Sequence, residues 1–173
     1  MQPLNTIRQL GYVVSNLDDA ITHWVEVLGA GPFFLIEHCA LREQIYRGQP
    51  SAVDVDIALG NSGDVQIELI YQHNDVPSIY NETNPAGHLG LHHFGIMPNN
   101  FELATKKMLD EGCEEAFACT VNRAKLAYFD TRKQTGHFTE LWENSSVFND
   151  VAKLVEDAAK DWDGNMPIRP MPD

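Results

Sequence analysis

The sequence is poor in basic residues and in cysteine. Lys and Arg number 12 against 25 Asp and Glu, a net charge of −13 over 173 residues. Phosphate contacts need clustered Lys and Arg, so nucleic acid and anionic membrane surfaces are excluded as expected partners. The same charge repels anionic ligands unless a cation sits in the site. Cys39, Cys113 and Cys119 are odd in number and form no Cys-x-x-Cys pair. They read as buried reduced thiols of a cytoplasmic protein rather than as a disulfide or zinc framework. No run approaches the roughly 18 uninterrupted apolar residues of a membrane span. Met1-Gln2-Pro3-Leu4-Asn5 has no basic segment leading into an apolar run, so no signal peptide is expected.

The composition, 43% hydrophobic and 21% charged, is that of a globular chain. Its length suits one domain, or two half-size modules sharing a sheet. Leu17, Ala20, Ile21, Trp24, Val25 and Leu28 follow the spacing of one buried helical face, with Ser15 or Asn16 as cap, Asp18 and Asp19 in the first turn and Gly29 as stop. Phe101, Ala104, Thr105, Met108 and Leu109 form a second such face, between Asn99 or Asn100 and Gly112. A third helix reads Val147, Val151, Leu154, Val155, Ala158 and Trp162, ending at Gly164 before a Pro-rich, extended tail. Strands are expected at 7–14, 33–36, 53–59, 65–70, 91–97, 115–121, 125–129 and 137–142. A polar connector, 74–90, carries Pro77 and Pro85.

The two halves look like copies. Gln9-Leu10-Gly11-Tyr12 aligns with His93-Phe94-Gly95-Ile96 at an offset of 84, and Ile67-Glu68-Leu69 aligns with Thr139-Glu140-Leu141. Each half reads β-α-β-β-β. The expected fold is α+β: two paired βαβββ modules (about 5–73 and 91–143) forming an open, barrel-like sheet around a metal pocket, with a C-terminal helix and tail over 144–173. One helix per four strands leaves a sheet face uncovered in each half, and two such faces can enclose a shared pocket.

Strand side chains alternate faces. Leu10, Tyr12 and Val14 then lie under the first helix, leaving Gln9 and Gly11 facing the pocket; in the copy, His93 and Gly95 do so. Gln66 and Glu68 share the inner face of one closing strand, and Phe138, Glu140 and Trp142 share a face of the other. Gln9, Glu68, His93 and Glu140 thus fall at equivalent places, and all can coordinate a divalent metal. Glutamates within apolar strands are costly unless paired or coordinated. The blander alternatives are ordinary charges on an exposed sheet face for the glutamates, a bonded core histidine for His93 and a simple hydrogen-bond partner for Gln9. His92 is expected on the face opposite His93. His73, His88 and His137 fall in or near loops with no chemistry assigned, His137 being close enough to reach the pocket rim. Asp54 and Asp56 suit either the pocket floor or a solvated face. Tyr46, Tyr128 and Trp142 are candidate substrate-binding wall residues, with core packing as the alternative.

Four segments in register, Ile7-Arg8-Gln9-Leu10-Gly11-Tyr12-Val13-Val14, Val65-Gln66-Ile67-Glu68-Leu69, Gly90-Leu91-His92-His93-Phe94-Gly95 and Thr139-Glu140-Leu141, resemble the vicinal oxygen chelate superfamily of glyoxalases, methylmalonyl-CoA epimerases and extradiol dioxygenases. The resemblance covers about 7–143 and implies a metal held by Gln9, Glu68, His93 and Glu140, a set similar to that of glyoxalase I. It further implies that Glu140 is the catalytic base. The segment 46–50 and the connector depart from the glyoxalase I pattern, and no glutathione-binding pattern accompanies them. The expected function is a metal-dependent lyase or isomerase of the glyoxalase or epimerase type. Its cofactor would be a divalent ion (nickel, zinc, cobalt, manganese or magnesium) and its partners a small-molecule substrate and a second copy of the chain in a homodimer. The alternatives are a metal-free binding or resistance protein of the same fold and an iron-dependent ring-cleaving dioxygenase, which normally wants two histidines and one carboxylate.

Overall fold

The computed structural model describes residues 2–82 and 90–172. His88 and Pro85 of the connector lie outside the described residues. In chain order the elements are β1 (Ile7–Val13), α1 (Leu17–Glu26), β2 (Phe33–Ile36), β3 (Arg42–Tyr46), β4 (Gln49–Pro50), β5 (Val55–Ser62), β6 (Val65–Gln72), α2 (Ile79–Glu82), β7 (Gly90–Ile96), α3 (Phe101–Asp110), β8 (Glu114–Val121), β9 (Ala124–Asp130), α4 (Arg132–Thr135), β10 (Phe138–Trp142), α5 (Ser146–Ala159) and β11 (Ile168–Pro170). The strands make one curved, unclosed sheet in the order β11-β2-β5-β6-β1-β7-β10-β9-β8-β3-β4. The fold is mixed α+β.

The centre of this order carries the duplication. β1 pairs with β6 in parallel and β7 with β10 in parallel, while β1 and β7 meet antiparallel along the seam between the halves. Each helix covers the outer face of its own half. Ile21 of α1 is buried with Ala58, Ile67 and Leu69, against Leu10, Tyr12 and Val14, and Phe101 of α3 is buried with Phe129 and Leu141. Asn16 and Asn100 cap these helices by accepting from the backbone N–H groups of Asp19 and Leu103. The inner faces of both halves and α5 share the largest core, around Phe117, Phe138, Trp142 and Val155.

Three local expectations are corrected. Helix α1 ends at Glu26, with Val27 as C-cap, so Leu28 is half exposed rather than part of the buried face. Helix α5 stops at Ala159: Lys160 is extended and Asp161 has φ +54, and Trp162 instead packs over Gly31. The β3–β4 hairpin falls in a segment where no strand was expected, leaves the first half and pairs with β8 of the second. The tail is extended as read, and Ile168–Pro170 adds a parallel strand beside β2.

Candidate metal centre

The strand register brings four polar groups to the seam. Gly11 stands opposite His93 and Gln9 opposite Gly95 on the antiparallel pair β1–β7, while Gly11 pairs with Glu68 and Gly95 with Glu140 on the outer sides. The glycines are sterically required. A Cβ on Gly11 would sit 1.8 Å from His93 Cε1, and one on Gly95 would sit 2.6 Å from Trp142 Cζ2 and 2.8 Å from Gln9 Oε1. Each half's glycine thus clears space for the other half's polar side chain.

Gln9, Glu68, His93 and Glu140 are all buried, His93 completely. Ligand atoms of Glu68, His93 and Glu140 lie within 4.8 Å of one another. His93 Nε2 is 3.2 Å from Gln9 Oε1, 3.2 Å from Glu68 Oε2 and 3.3 Å from Glu140 Oε2. The Gln9 amide donates to Gln66 Oε1 at 2.9 Å, which turns its own oxygen toward His93. Glu140 Oε2 also accepts from the Trp142 indole N–H. Burial pulls the His93 imidazole down, but the Glu140 and Glu68 carboxylates outweigh it and hold it up at about 9. Burial raises the Glu68 carboxyl, aided by the charge of Glu140 and opposed by His93. Glu68 Oε2 is buried with the His93 imidazole as its charged neighbour, 3.2 Å away, and makes no further hydrogen bond. Three oxygen donors and one imidazole converge on one point, with a lone pair to spare on Glu68. That donor set fits a divalent cation.

His92 is a correction to the sequence reading. It was expected on the opposite face, but a β-bulge lies between the pairs Gly11–His93 and Tyr12–Leu91. The extra residue takes up the irregularity. His92 is accordingly buried beside His93, with ring centroids 5.2 Å apart. Burial, reinforced by the charge of His93, drives its pKa well below the ordinary value, so His92 is neutral. Its Nε2–H donates to the Ile79 carbonyl at 3.1 Å, leaving Nδ1 to accept from the Nδ1–H of His93 at 3.0 Å. This chain fixes the His93 ring and aims Nε2 at the carboxylates.

A cavity of ≈ 280 Å³ opens onto the tetrad. Gln9, Glu68 and Glu140 line its polar end, together with Tyr128, Trp142 and Tyr80. Ile36, Leu41, Ile57, Leu59 and Leu126 make the apolar wall, and Val147, Phe148 and Val151 of α5 cover it. Tyr128 meets His93 edge-on at 5.1 Å, and burial holds the Tyr80 and Tyr128 phenols well above the ordinary value, so both remain protonated donors. Tyr80, on the short helix α2, carried no signal in the sequence. Tyr46 stands apart from this wall. It lies on β3, and its hydroxyl donates to Glu82 in a network that includes Arg47, Asp130 and Arg132. Asp54 and Asp56 are also away from the cavity, against His38 and His73. His137 packs edge-on against Phe94.

No curated protein sequence matches the chain. Solved structures share its fold at low identity. A hypothetical protein from Bacillus halodurans C-125 is 19% identical, with a TM-score of 0.59 over 82% of this chain and 95% of its own. Methylmalonyl-CoA epimerase from Mycobacterium tuberculosis is 15% identical, with a TM-score of 0.56 over 86% and 97%. A Streptomyces coelicolor methylmalonyl-CoA epimerase in complex with 2-nitronate-propionyl-CoA is 14% identical, with a TM-score of 0.52 over 83% and 100%. None of the described helices is long and apolar enough to cross a membrane. The model of the glyoxalase/bleomycin resistance protein/dioxygenase superfamily matches residues 8–129, most of both repeats, and the chain belongs to that superfamily, whose fold is the vicinal oxygen chelate fold.

Proposed function

We propose that the chain is a divalent-metal-dependent lyase or isomerase that moves a carbon-bound proton on a substrate bound through adjacent oxygens. The observation that supports this most is the convergence of Gln9, Glu68 and Glu140 on the buried His93 Nε2, at 3.2–3.3 Å, with the three oxygen donors lining a cavity. Gln9, Glu68, His93 and Glu140 would hold the ion. Bound there, it would supply Lewis-acid stabilisation of negative charge on the substrate oxygens.

The side chains divide the remaining work. Glu140 faces the cavity and would accept the carbon-bound proton and return it. A carboxylate is a weak base toward a C–H bond, so the position of Glu140 matters more than its basicity. The Trp142 indole N–H aims the Glu140 carboxylate. Tyr128 would offer a neutral O–H to a substrate oxygen. The apolar wall suits a substrate with an apolar body; among the described residues, no Lys or Arg lines the cavity. The epimerases of the same fold act on methylmalonyl-CoA by name, and a proton shift beside a carbonyl is the shared reaction class proposed for this chain. All four polar groups come from one chain, and a homodimer is proposed beside this site.

One observation favours a second reading, a metal-free small-molecule binding protein. His93 sits between two carboxylates that already neutralise its charge. A ring-cleaving iron site is less well supported, because both nitrogens of His92 are engaged and cannot supply a second imidazole.

The test has two parts. Metal content of protein purified without chelator, compared with that of His93→Ala, distinguishes the enzyme from the metal-free binder. Glu140→Gln should keep the fold and most of the metal but lose turnover, in a screen against thiol adducts of 2-oxo-aldehydes and acyl-CoA epimers. A fully active Glu140→Gln protein defeats the assignment of the base.

A further inference from the structure

A second group of ligand-type side chains lies outside the cavity. His38 follows β2, Asp56 is on β5 and His73 lies just past β6, and one ligand atom from each falls within 4.8 Å of the others. The two imidazoles stack, with centroids 4.7 Å apart and planes inclined by 28°. His73 Nε2 is 2.8 Å from Asp56 Oδ1, and the same oxygen accepts from the His38 backbone N–H at 2.8 Å. Asp54 places its carboxylate oxygens 2.9 and 3.0 Å from His38 Nδ1. A tetrahedral zinc ion with bonds near 2.0–2.1 Å needs its ligand atoms roughly 3.3 Å apart, so small side-chain rotations would close this group onto an ion. His38 is largely exposed, which leaves it free to make that adjustment.

We propose that His38, Asp56 and His73 form a second metal site, for a borderline transition-metal ion of the zinc class. Two imidazoles and a carboxylate suit zinc, nickel or copper better than magnesium or calcium. Asp54 orients the His38 ring from outside, the usual place for a carboxylate behind a metal-binding histidine. The ion would tie three segments together at one end of the sheet. One of them is the turn after β2, whose Cys39 and Leu41 line the cavity, and whose Cys39 backbone N–H donates to Val55 at 2.8 Å. The second ion would thus hold one cavity wall in place without entering the cavity.

Zinc stoichiometry tests the proposal. Metal-stripped full-length protein and the His38→Ala, His73→Ala and His93→Ala variants are dialysed against low-micromolar free zinc, and bound zinc per chain is counted by elemental analysis. Circular dichroism establishes that each variant is folded. The expected counts are two for the wild type and one for each variant. A wild-type count unchanged in both His38→Ala and His73→Ala overturns the second site, whether that count is one or two. A wild-type count of one that falls to zero in His38→Ala and His73→Ala supports the second site and shows only that the buried one does not take zinc. A wild type that binds no zinc overturns the second site.

Discussion

The Nδ1 atoms of His92 and His93 face each other at 3.0 Å, with His92 anchored in turn to the Ile79 carbonyl. Two neighbours on a regular strand would point to opposite faces. Here the bulge in β7 sets one behind the other, and His92 becomes the acceptor for the His93 Nδ1–H that fixes the orientation of the His93 ring.

Replacing His92 with Phe should therefore weaken metal binding by about 10–100-fold, the range for losing a partner behind a metal-binding histidine. The ring volume is kept, but the buried His93 Nδ1–H loses its acceptor, so stability should also fall, by about 1–3 kcal/mol. Competitive titration with a chromogenic chelator measures the affinity. Unchanged affinity would show that the His92 contact does not orient His93.

Gly11→Ala should be among the most damaging small substitutions in the chain. Its Cβ would fall 1.8 Å from His93 Cε1, and both the backbone and a buried ring would have to yield. Overpacking of this kind costs about 1–3 kcal/mol or more. Gly95→Ala should behave alike, through Trp142 and Gln9. Urea unfolding reads the stability and metal content reads the site. Both should fall in Gly11→Ala, and a full metal complement in that variant would contradict the placement of His93.

The metal-free protein should lose stability as pH rises from about 6.5 to about 9. His93 has an ordinary value of 6.5 and is raised to about 9 in the fold. A raised group contributes stability that is fully present below its unfolded value and is lost as pH rises through the folded one. Urea midpoints of chelator-treated protein across this window check the sign, with His93→Gln as control. A flat profile for the parent protein would count against the charged imidazole between the two glutamates.

An acid-side dependence should arise elsewhere. Hydrogen bonds from Arg132, joined by Arg47, hold the Asp130 carboxyl well below the usual carboxylate range. A depressed group contributes stability above its unfolded value, which is lost as pH falls through the folded one. Asp130→Asn should thus cost about 2 kcal/mol at neutral pH, in the range for a hydrogen-bonded charge. The gap from wild type should narrow as the solution is taken below about pH 4, near the unfolded carboxylate value. Chemical denaturation at pH 7 and at steps from pH 4 downward follows the narrowing.

Much of this arrangement is written in local periodicity. The spacing of Leu17, Ile21 and Trp24 gives α1, and alternation along β1 and β6 puts Gln9 and Glu68 on one face. The matched Gln9-x-Gly11 and His93-x-Gly95 pairs even suggest that space is cleared at the seam, although which glycine clears which side chain depends on the antiparallel pairing. What stays hidden is what local pattern cannot encode. A single-residue bulge leaves the composition around His92 unchanged but reverses its direction. The β3–β4 hairpin joins the far edge of the other half, a pairing between β3 and β8 across about seventy residues of chain that carries Tyr46 away from the cavity. The wall residues from α5 likewise depend on where that helix docks rather than on its own pattern.

The seam between β1 and β7 carries a further consequence. Gln9 belongs to one strand and His93 to the other, and the strands run in opposite directions. Slippage by one residue would turn either side chain to the opposite surface. An ion gripping both would bind only when the two repeats are aligned to the residue, so its affinity doubles as a proofreader of how the halves have come together during folding.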